Sequence, residues 1–244
     1  MNYYYITGTS RGIGKALAEL LLKDKNNHVT GISRTCSIEH PNYNHVTLDL
    51  SIFENVEQFT FHNHNDAERI ALVNNAGYIG EIKRIGNYKN TDIAKELAVN
   101  LTAPSVLMNK FTDTYRSSPA EKIILNISSG AGRHPLDAAG AYCASKAGLD
   151  MFSRTAAEEQ KITGHGFKIT SISVGVVDTV MQSMLREADE REFSLRDMFI
   201  GYKEKGEIQQ PEYVARRLAE IMDNLCRVTD VVFSIREFDN MNIK

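Results

Sequence analysis

Cysteine is scarce in this sequence. Cys36, Cys143 and Cys226 are the only three in 244 residues, and no two form a CxxC pair. Their number and wide spacing exclude a disulfide framework and a cysteine-based zinc site, and fit a reducing cytoplasm. The densest histidine stretch, His62-Asn63-His64, has no cysteine or third histidine beside it. No metal site is expected there, and the stretch reads as the polar end of a helix ahead of a strand. Long apolar runs are also missing. Nowhere do about 18 apolar residues follow one another, which excludes a membrane-spanning helix. Charge of one sign is not in excess: the net charge is -3, which leaves no basic footprint for nucleic acid. The opening Met-Asn-Tyr-Tyr-Tyr-Ile-Thr-Gly lacks a basic segment followed by an apolar one, and reads as a strand and not a signal peptide. No linker rich in proline, glycine or serine, no low-complexity run and no internal repeat divides the chain, so residues 1–244 are expected to form a single domain.

What is present is alternation. Short β-rich runs at 3–7, 28–33, 45–48, 70–74, 122–127, 168–174 and 230–235 are separated by helical patterns. Several of these runs are almost wholly apolar, as parallel strands buried on both faces must be. From Gly12 onward Ile13, Ala16, Leu17, Leu20 and Leu21 recur on one helical side. Further helical patterns run from 91 to 115, 138 to 161 and 211 to 225, the last opening on Pro211, which suits a first turn. The pattern predicts an α/β fold: a doubly wound parallel sheet of about seven strands with helices on both faces. The longest span without a strand lies between Val174 and Pro211 and mixes charge with Met181, Met184, Leu185, Phe193, Met198, Phe199 and Tyr202. Because it directly follows a strand end, residues 178–210 read as a substrate lid. A solvated helical hairpin packed on its own apolar stripe is the competing description.

The first strand runs into Thr7-Gly8-Thr9-Ser10-Arg11-Gly12-Ile13-Gly14, and a helix follows. Glycines permit a tight turn and close approach of backbone to a pyrophosphate, and the new helix offers free N–H groups and partial positive charge. Gly8, Ser10, Arg11, Gly12, Ile13 and Gly14 are therefore expected to cradle a dinucleotide on a Rossmann-type sheet. The second strand ends Gly31-Ile32-Ser33-Arg34, with no carboxylate for the ribose 2′-hydroxyl of NAD. Arg34, with Ser33 and Arg11, would instead grip a 2′-phosphate through the planar guanidinium fork, so NADP(H) is the expected cofactor.

Tyr142 and Lys146 stand four residues apart, thirteen residues after Ser129. A phenol and an ammonium at that spacing share one helix face. The ammonium is expected to favour the phenolate and lower the phenol's pKa, and such a phenol can exchange a proton with a carbonyl oxygen or alcohol. Ser128 competes with Ser129 for the same role. Cys143 points to another helix face and reads as a buried structural thiol.

Together these motifs resemble the short-chain dehydrogenase/reductase family in its single-domain form. The resemblance rests on the glycine turn, Asp49-Leu50, Asn74-Asn75-Ala76-Gly77, Asn100, Ile127-Ser128-Ser129, Tyr142-x3-Lys146 and Val177-Asp178-Thr179. Within the family it points to carbonyl reductases of the sepiapterin reductase and benzil reductase kind, through Asn126-Ile127-Ser128-Ser129-Gly130-Ala131-Gly132 and Pro211-Glu212-Tyr213-Val214-Ala215. The resemblance implies that Ser129 clamps a carbonyl, Tyr142 donates the proton, and Lys146 tunes Tyr142 and binds the nicotinamide ribose. It implies that the Asn100 backbone holds a water bonded to Lys146. Asp49 and the Leu50 backbone would contact adenine, and Asn75, Ala76 and Gly77 would line the adenosine ribose. Val177 and Thr179 would anchor the carboxamide. A homodimer through the helices carrying Asn100 and Tyr142 follows from the same resemblance. Val174-Gly175 stands where Pro-Gly is usual, so the loop above the nicotinamide is expected to be looser or differently set.

The expected function is NADPH-dependent reduction of a ketone or diketone, with apolar lid residues favouring an aromatic or bulky substrate. A non-catalytic cofactor-binding regulatory or scaffold protein on the same fold is the alternative, and the intact Ser129, Tyr142 and Lys146 set argues against it. A sugar-nucleotide epimerase would need a longer C-terminal substrate domain than 244 residues allow.

Overall fold

The computed structural model describes residues 1–241. Its strands are β1 (Asn2–Thr7), β2 (Asn27–Ser33), β3 (Tyr43–Thr47), β4 (Arg69–Asn74), β5 (Glu121–Ser128), β6 (Phe167–Ser173) and β7 (Val232–Ser234). Every pairing is parallel, in the order β3-β2-β1-β4-β5-β6-β7. Strand succession reverses between β1 and β4, which opens a crevice beyond their carboxyl ends, where ligands of such sheets bind.

Successive residues of the central strands face opposite sides. Ile6, Val73 and Leu125 join one core, under α1 (Gly12–Leu21) and α8 (Pro211–Asp223); Tyr5, Leu72 and Ile124 join the other. That second core is closed by Leu107 and Phe111 of α4 (Ala103–Tyr115) and by Ala156 and Ala157 of α5 (Gly140–Thr163). Leu17, Leu218, Leu107 and Phe111 are fully buried, each contributing about 1.5–3 kcal/mol by leaving water. Shorter helices complete the chain: α2 (Phe53–Gln58), α3 (Asn90–Leu97), α6 (Val180–Arg186), α7 (Arg196–Glu204) and α9 (Ile235–Met241).

Four expectations need correction. The pattern from 91 to 115 is not one regular helix: α3 and α4 are joined by a π-turn, Ala98–Thr102. The strand expected at 45–48 begins at Tyr43, whose hydroxyl lies 2.9 Å from Thr9 Oγ1 across Gly31. The strand expected at 230–235 shrinks to Val232–Ser234, because Ser234-x-x-Glu237 starts a helix. Ser234 Oγ accepts the Glu237 N–H at 3.2 Å and the Glu237 carboxylate returns to the Ser234 N–H, a capping box. Finally, His62 and His64 lie in a loop and not at a helix end, because His64 stacks on the Tyr3 ring and sets Nε2 2.9 Å from the Tyr5 hydroxyl.

Candidate active site

The turn between β1 and α1 is shaped by its glycines. Gly8 (φ +76°) and Gly12 (φ +60°) occupy the left-handed region, where a side chain costs roughly 1–2 kcal/mol. Gly14 meets a different limit: a Cβ there would lie 2.3 Å from Asn75 Nδ2 and 2.5 Å from the Gly8 carbonyl oxygen. Asn75 donates from Nδ2 to the Thr7 carbonyl at 2.9 Å, and Thr7 Oγ1 accepts the N–H groups of Asn75 (3.0 Å) and Ala76 (2.9 Å). Asn75 and Ala76 therefore brace the glycine turn from the end of β4, Gly77 lies instead beside Met181 and Asn100, and Ser10, Arg11 and Ile13 fill the turn out to α1. This is a cradle that backbone alone can line, and it suits a pyrophosphate.

Arg34, just beyond β2, and Arg11, in the glycine turn, are exposed, whereas Ser33 is buried and its hydroxyl donates to the Thr35 carbonyl at 2.9 Å. The two guanidinium groups thus remain available to an anion, with Ser33 shaping the turn. Asp49 accepts from the Ser51 N–H (2.9 Å) and hydroxyl (2.7 Å). Burial raises its pKa, but these bonds outweigh burial and hold it below the usual carboxylate range, helped by Arg34 and Lys95. Leu50 packs into the core.

Ser129 follows β5 directly and Tyr142 sits in the first turn of α5, with Lys146 one turn on. Tyr142 and Lys146 are 8% and 3% exposed. Burial pushes the Tyr142 phenol up to about 12; Ser129 acts in the opposite sense, and Cys143 and Glu96 add to the rise. Burial also drives the Lys146 ammonium down to about 8, against Asp150. The expectation that Lys146 lowers the phenol is therefore corrected. Its Nζ donates to the Ile127 carbonyl at 2.7 Å and lies 5.8 Å from the Tyr142 ring centre, so burial dominates. Ser128 is buried at the strand end with its hydroxyl unpartnered. Cys143 is only half-buried, with Sγ 3.8 Å from the Leu136 carbonyl.

Asn100 lies in the π-turn, fully buried. Its side chain accepts the Tyr78 N–H (2.8 Å) and donates to the Tyr78 carbonyl (2.7 Å) and to Ser145 Oγ (3.2 Å). Ser145 in turn donates to the Tyr142 carbonyl at 2.7 Å. The side chain of Asn100 thus ties the 77–80 segment to the turn of α5 between Tyr142 and Lys146. Its backbone carbonyl is released from ordinary helical bonding, because Pro104 four residues on has no N–H to offer.

The loop after β6 is not loose. Val177 pairs with Gln209, Gln209 N–H donates to the Val176 carbonyl (2.9 Å) and Asp178 N–H to the Gln209 carbonyl (2.8 Å). Thr179 reaches the glycine turn, with Cγ2 3.6 Å from where a Gly12 Cβ would sit. Past it, α6, α7 and the turn between them bring Leu185, Phe199 and Phe193 into one cluster with Ile79, Ile82 and Tyr142. The turn between these helices is fastened at its far end. Glu192 accepts from the Arg84 N–H (3.1 Å) and Asn87 Nδ2 (2.9 Å), and Asp137 accepts the Ser194 N–H (2.9 Å). Sequence reasoning missed Thr7, Ser145 and Glu96. It also missed Ala138, a non-glycine residue at φ +58° whose carbonyl takes the Lys83 N–H (3.0 Å) and Tyr88 hydroxyl (3.2 Å) just ahead of α5. Pro104 after Asn100 was the readable signal for the π-turn.

Residues 2–190 match the family model described as short chain dehydrogenase. The chain is 35% identical over 244 residues to a benzil reductase ((S)-benzoin forming) of Bacillus subtilis (strain 168), covering 98% of this chain and 100% of the relative. It is 27% identical over 242 residues to a sepiapterin reductase of Bos taurus, covering 90% and 88% respectively. In fold it is similar to a short-chain dehydrogenase/reductase from Saccharomyces cerevisiae, with a TM-score of 0.81, 24% identity and 96% of each chain covered.

Proposed function

The chain belongs to the short-chain dehydrogenase family, oxidoreductases that work with a nicotinamide cofactor, and from that premise we propose that it reduces a ketone or vicinal diketone with NADPH. The observation that carries this reading is the environment of Tyr142: a buried phenol, held protonated, beside Ser129 and under an apolar cluster. A phenol that keeps its proton is the form that donates to a carbonyl oxygen becoming an alkoxide. Ser129 donates a hydrogen bond to that oxygen, and Lys146 supplies a cation at the base of the site and binds the nicotinamide ribose. The Asn100 carbonyl holds a water on the path that returns a proton to Tyr142.

The glycine turn, Asn75, Ala76 and Gly77, with Asp49, Leu50, Val177 and Thr179, would hold the cofactor, which when bound supplies hydride to the carbonyl carbon. Ile79, Ile82, Leu185, Phe193 and Phe199 around Tyr142 favour an aromatic or bulky substrate, in keeping with the benzil reductase likeness. Residues 178–210 serve as the lid over it, with Met181 Cε set 3.7 Å from where a Gly77 Cβ would be. Three free cysteines suit a reducing cytoplasm. The direct test is a panel of ketones and diketones with NADPH consumption read at fixed pH. Turnover of aromatic diketones is expected, and activity on no carbonyl would revive the scaffold reading.

NADPH preference rests on Arg34 and Arg11. The ratio of kcat/KM for NADPH over NADH is expected to exceed about tenfold, one lost charge-assisted contact being worth about 1.5–3 kcal/mol. Arg34→Asp is expected to reverse it by repelling the 2′-phosphate. A wild type that prefers NADH contradicts the assignment. A homodimer is also proposed, supported by Met151 and Phe152 exposed on α5; sedimentation at the mass of one 27.4 kDa chain would refute it.

A further inference from the structure

Glu96 lies in a helix of mostly polar sequence, Asn90-Thr91-Asp92-Ile93-Ala94-Lys95-Glu96-Leu97, yet it is 0% exposed. Its Oε1 accepts the Gly80 N–H at 2.8 Å, and its Oε2 has no partner. Contact with the Gly80 backbone is close: a Cβ on that glycine would stand 2.8 Å from Oε1 and 3.0 Å from Asp92 Cβ. Asn100 follows four residues later and holds both backbone groups of Tyr78. Two side chains about one helical turn apart thus fasten Tyr78 and Gly80, and between and beyond those points Ile79 and Ile82 pack with Tyr142.

A buried carboxyl with an unmet acceptor is costly and calls for an explanation. Burial raises Glu96 to about 7, the Gly80 N–H opposes the rise, and Asp92 adds to it. Tyr78 and Tyr88 face it from the 77–89 loop and Tyr142 from α5; its negative charge adds to burial in raising all three phenols. Among the described residues, no cation contributes to its shift.

We propose that Glu96 is a positioning residue for the reduction: as the uncharged acid it fastens the 77–82 wall against Tyr142, and its ionisation opposes the negative charge that Tyr142 develops on giving up its proton. This rests on the reductase reading above. Because the carboxyl binds its proton more tightly in the folded chain than in the unfolded one, its contribution to stability is full below the ordinary value of 4.5 and is lost as the pH rises through about 7.

Wild type and Glu96→Gln are compared between about pH 5 and about pH 8, since glutamine can still accept the Gly80 N–H and cannot ionise. The melting temperature of the wild type is expected to fall by roughly 5 °C relative to the variant across that span. With saturating NADPH and a vicinal diketone, wild-type kcat is expected to fall about threefold more than that of the variant. The Lys146 titration is common to both chains and cancels. Parallel kcat profiles overturn the proposal even if the melting curves diverge, because a merely structural carboxyl moves melting alone. Melting curves that stay parallel overturn it too. If Glu96→Gln does not fold, the wild type carries the test: its melting temperature must stop falling, and its kcat must pass an inflection, at about 7, and a kcat profile with no inflection there overturns the proposal. A wild type inactive on every carbonyl fails the reductase reading itself, and the positioning role with it; an active wild type with parallel profiles fails the positioning role alone.

Discussion

Tyr142→Phe is expected to lower kcat for ketone reduction by roughly a hundred- to ten-thousand-fold, the span that a positioned general acid contributes. The ring stays in its apolar cluster with Ile79, Leu185 and Phe193, so the fold loses only a hydroxyl, worth about 1 kcal/mol or less. NADPH affinity, followed by fluorescence titration, is expected to stay within about threefold, under 1 kcal/mol, because the glycine turn is untouched. The pH behaviour has a definite sign. A phenol pushed up to about 12 keeps its proton throughout the neutral range, so its own ionisation does not limit reduction there. Alcohol oxidation by the same site needs the phenolate and is expected to accelerate as pH rises. Near-normal reduction by the variant refutes the role of Tyr142.

Gly14→Ala is expected to disable the cofactor site by a different route. The added methyl would stand 2.3 Å from Asn75 Nδ2 and 2.5 Å from the Gly8 carbonyl oxygen. Neither can withdraw cheaply: Asn75 Nδ2 is bonded to the Thr7 carbonyl, and Gly8 is backbone at the turn itself. Overpacking of this kind costs about 1–3 kcal/mol, and the displaced turn is expected to weaken NADPH binding at least about tenfold, or about 1.4 kcal/mol. Gly201→Ala is the matched control. It lies inside α7 with nothing within 4 Å of an added Cβ, so the same change is expected to stabilise by about 0.5–1 kcal/mol. Calorimetry and a cofactor titration on both variants read the contrast. Unchanged cofactor affinity in Gly14→Ala contradicts the cradle.

The central strands were legible because burial on both faces writes them as unbroken apolar runs, as in Ile70-Ala71-Leu72-Val73. The glycine turn and the pair Tyr142 and Lys146 were legible because spacing alone brings them together. The direction of the Tyr142 shift was not, because spacing shows the ammonium and hides the burial that outweighs it. Glu96 reads as an ordinary surface carboxylate until the 77–82 segment folds across α3. Two other misses carried local signals. Pro104 denies the Asn100 carbonyl its ordinary helical partner, and Ser234-x-x-Glu237 marks a helix start where a longer strand was expected.

The central claim, reduction of a carbonyl with a proton from Tyr142, is tested most directly by label transfer. An aromatic vicinal diketone is incubated with NADPH deuterated at the transferable position, and the product is weighed by mass spectrometry for wild type and Tyr142→Phe. The predicted result is a hydroxyketone with a single deuterium on the new carbinol carbon, formed one for one with NADPH consumed by the wild type and nearly absent with the variant. Unlabelled product, no product from the wild type, or equal product from the variant would contradict it.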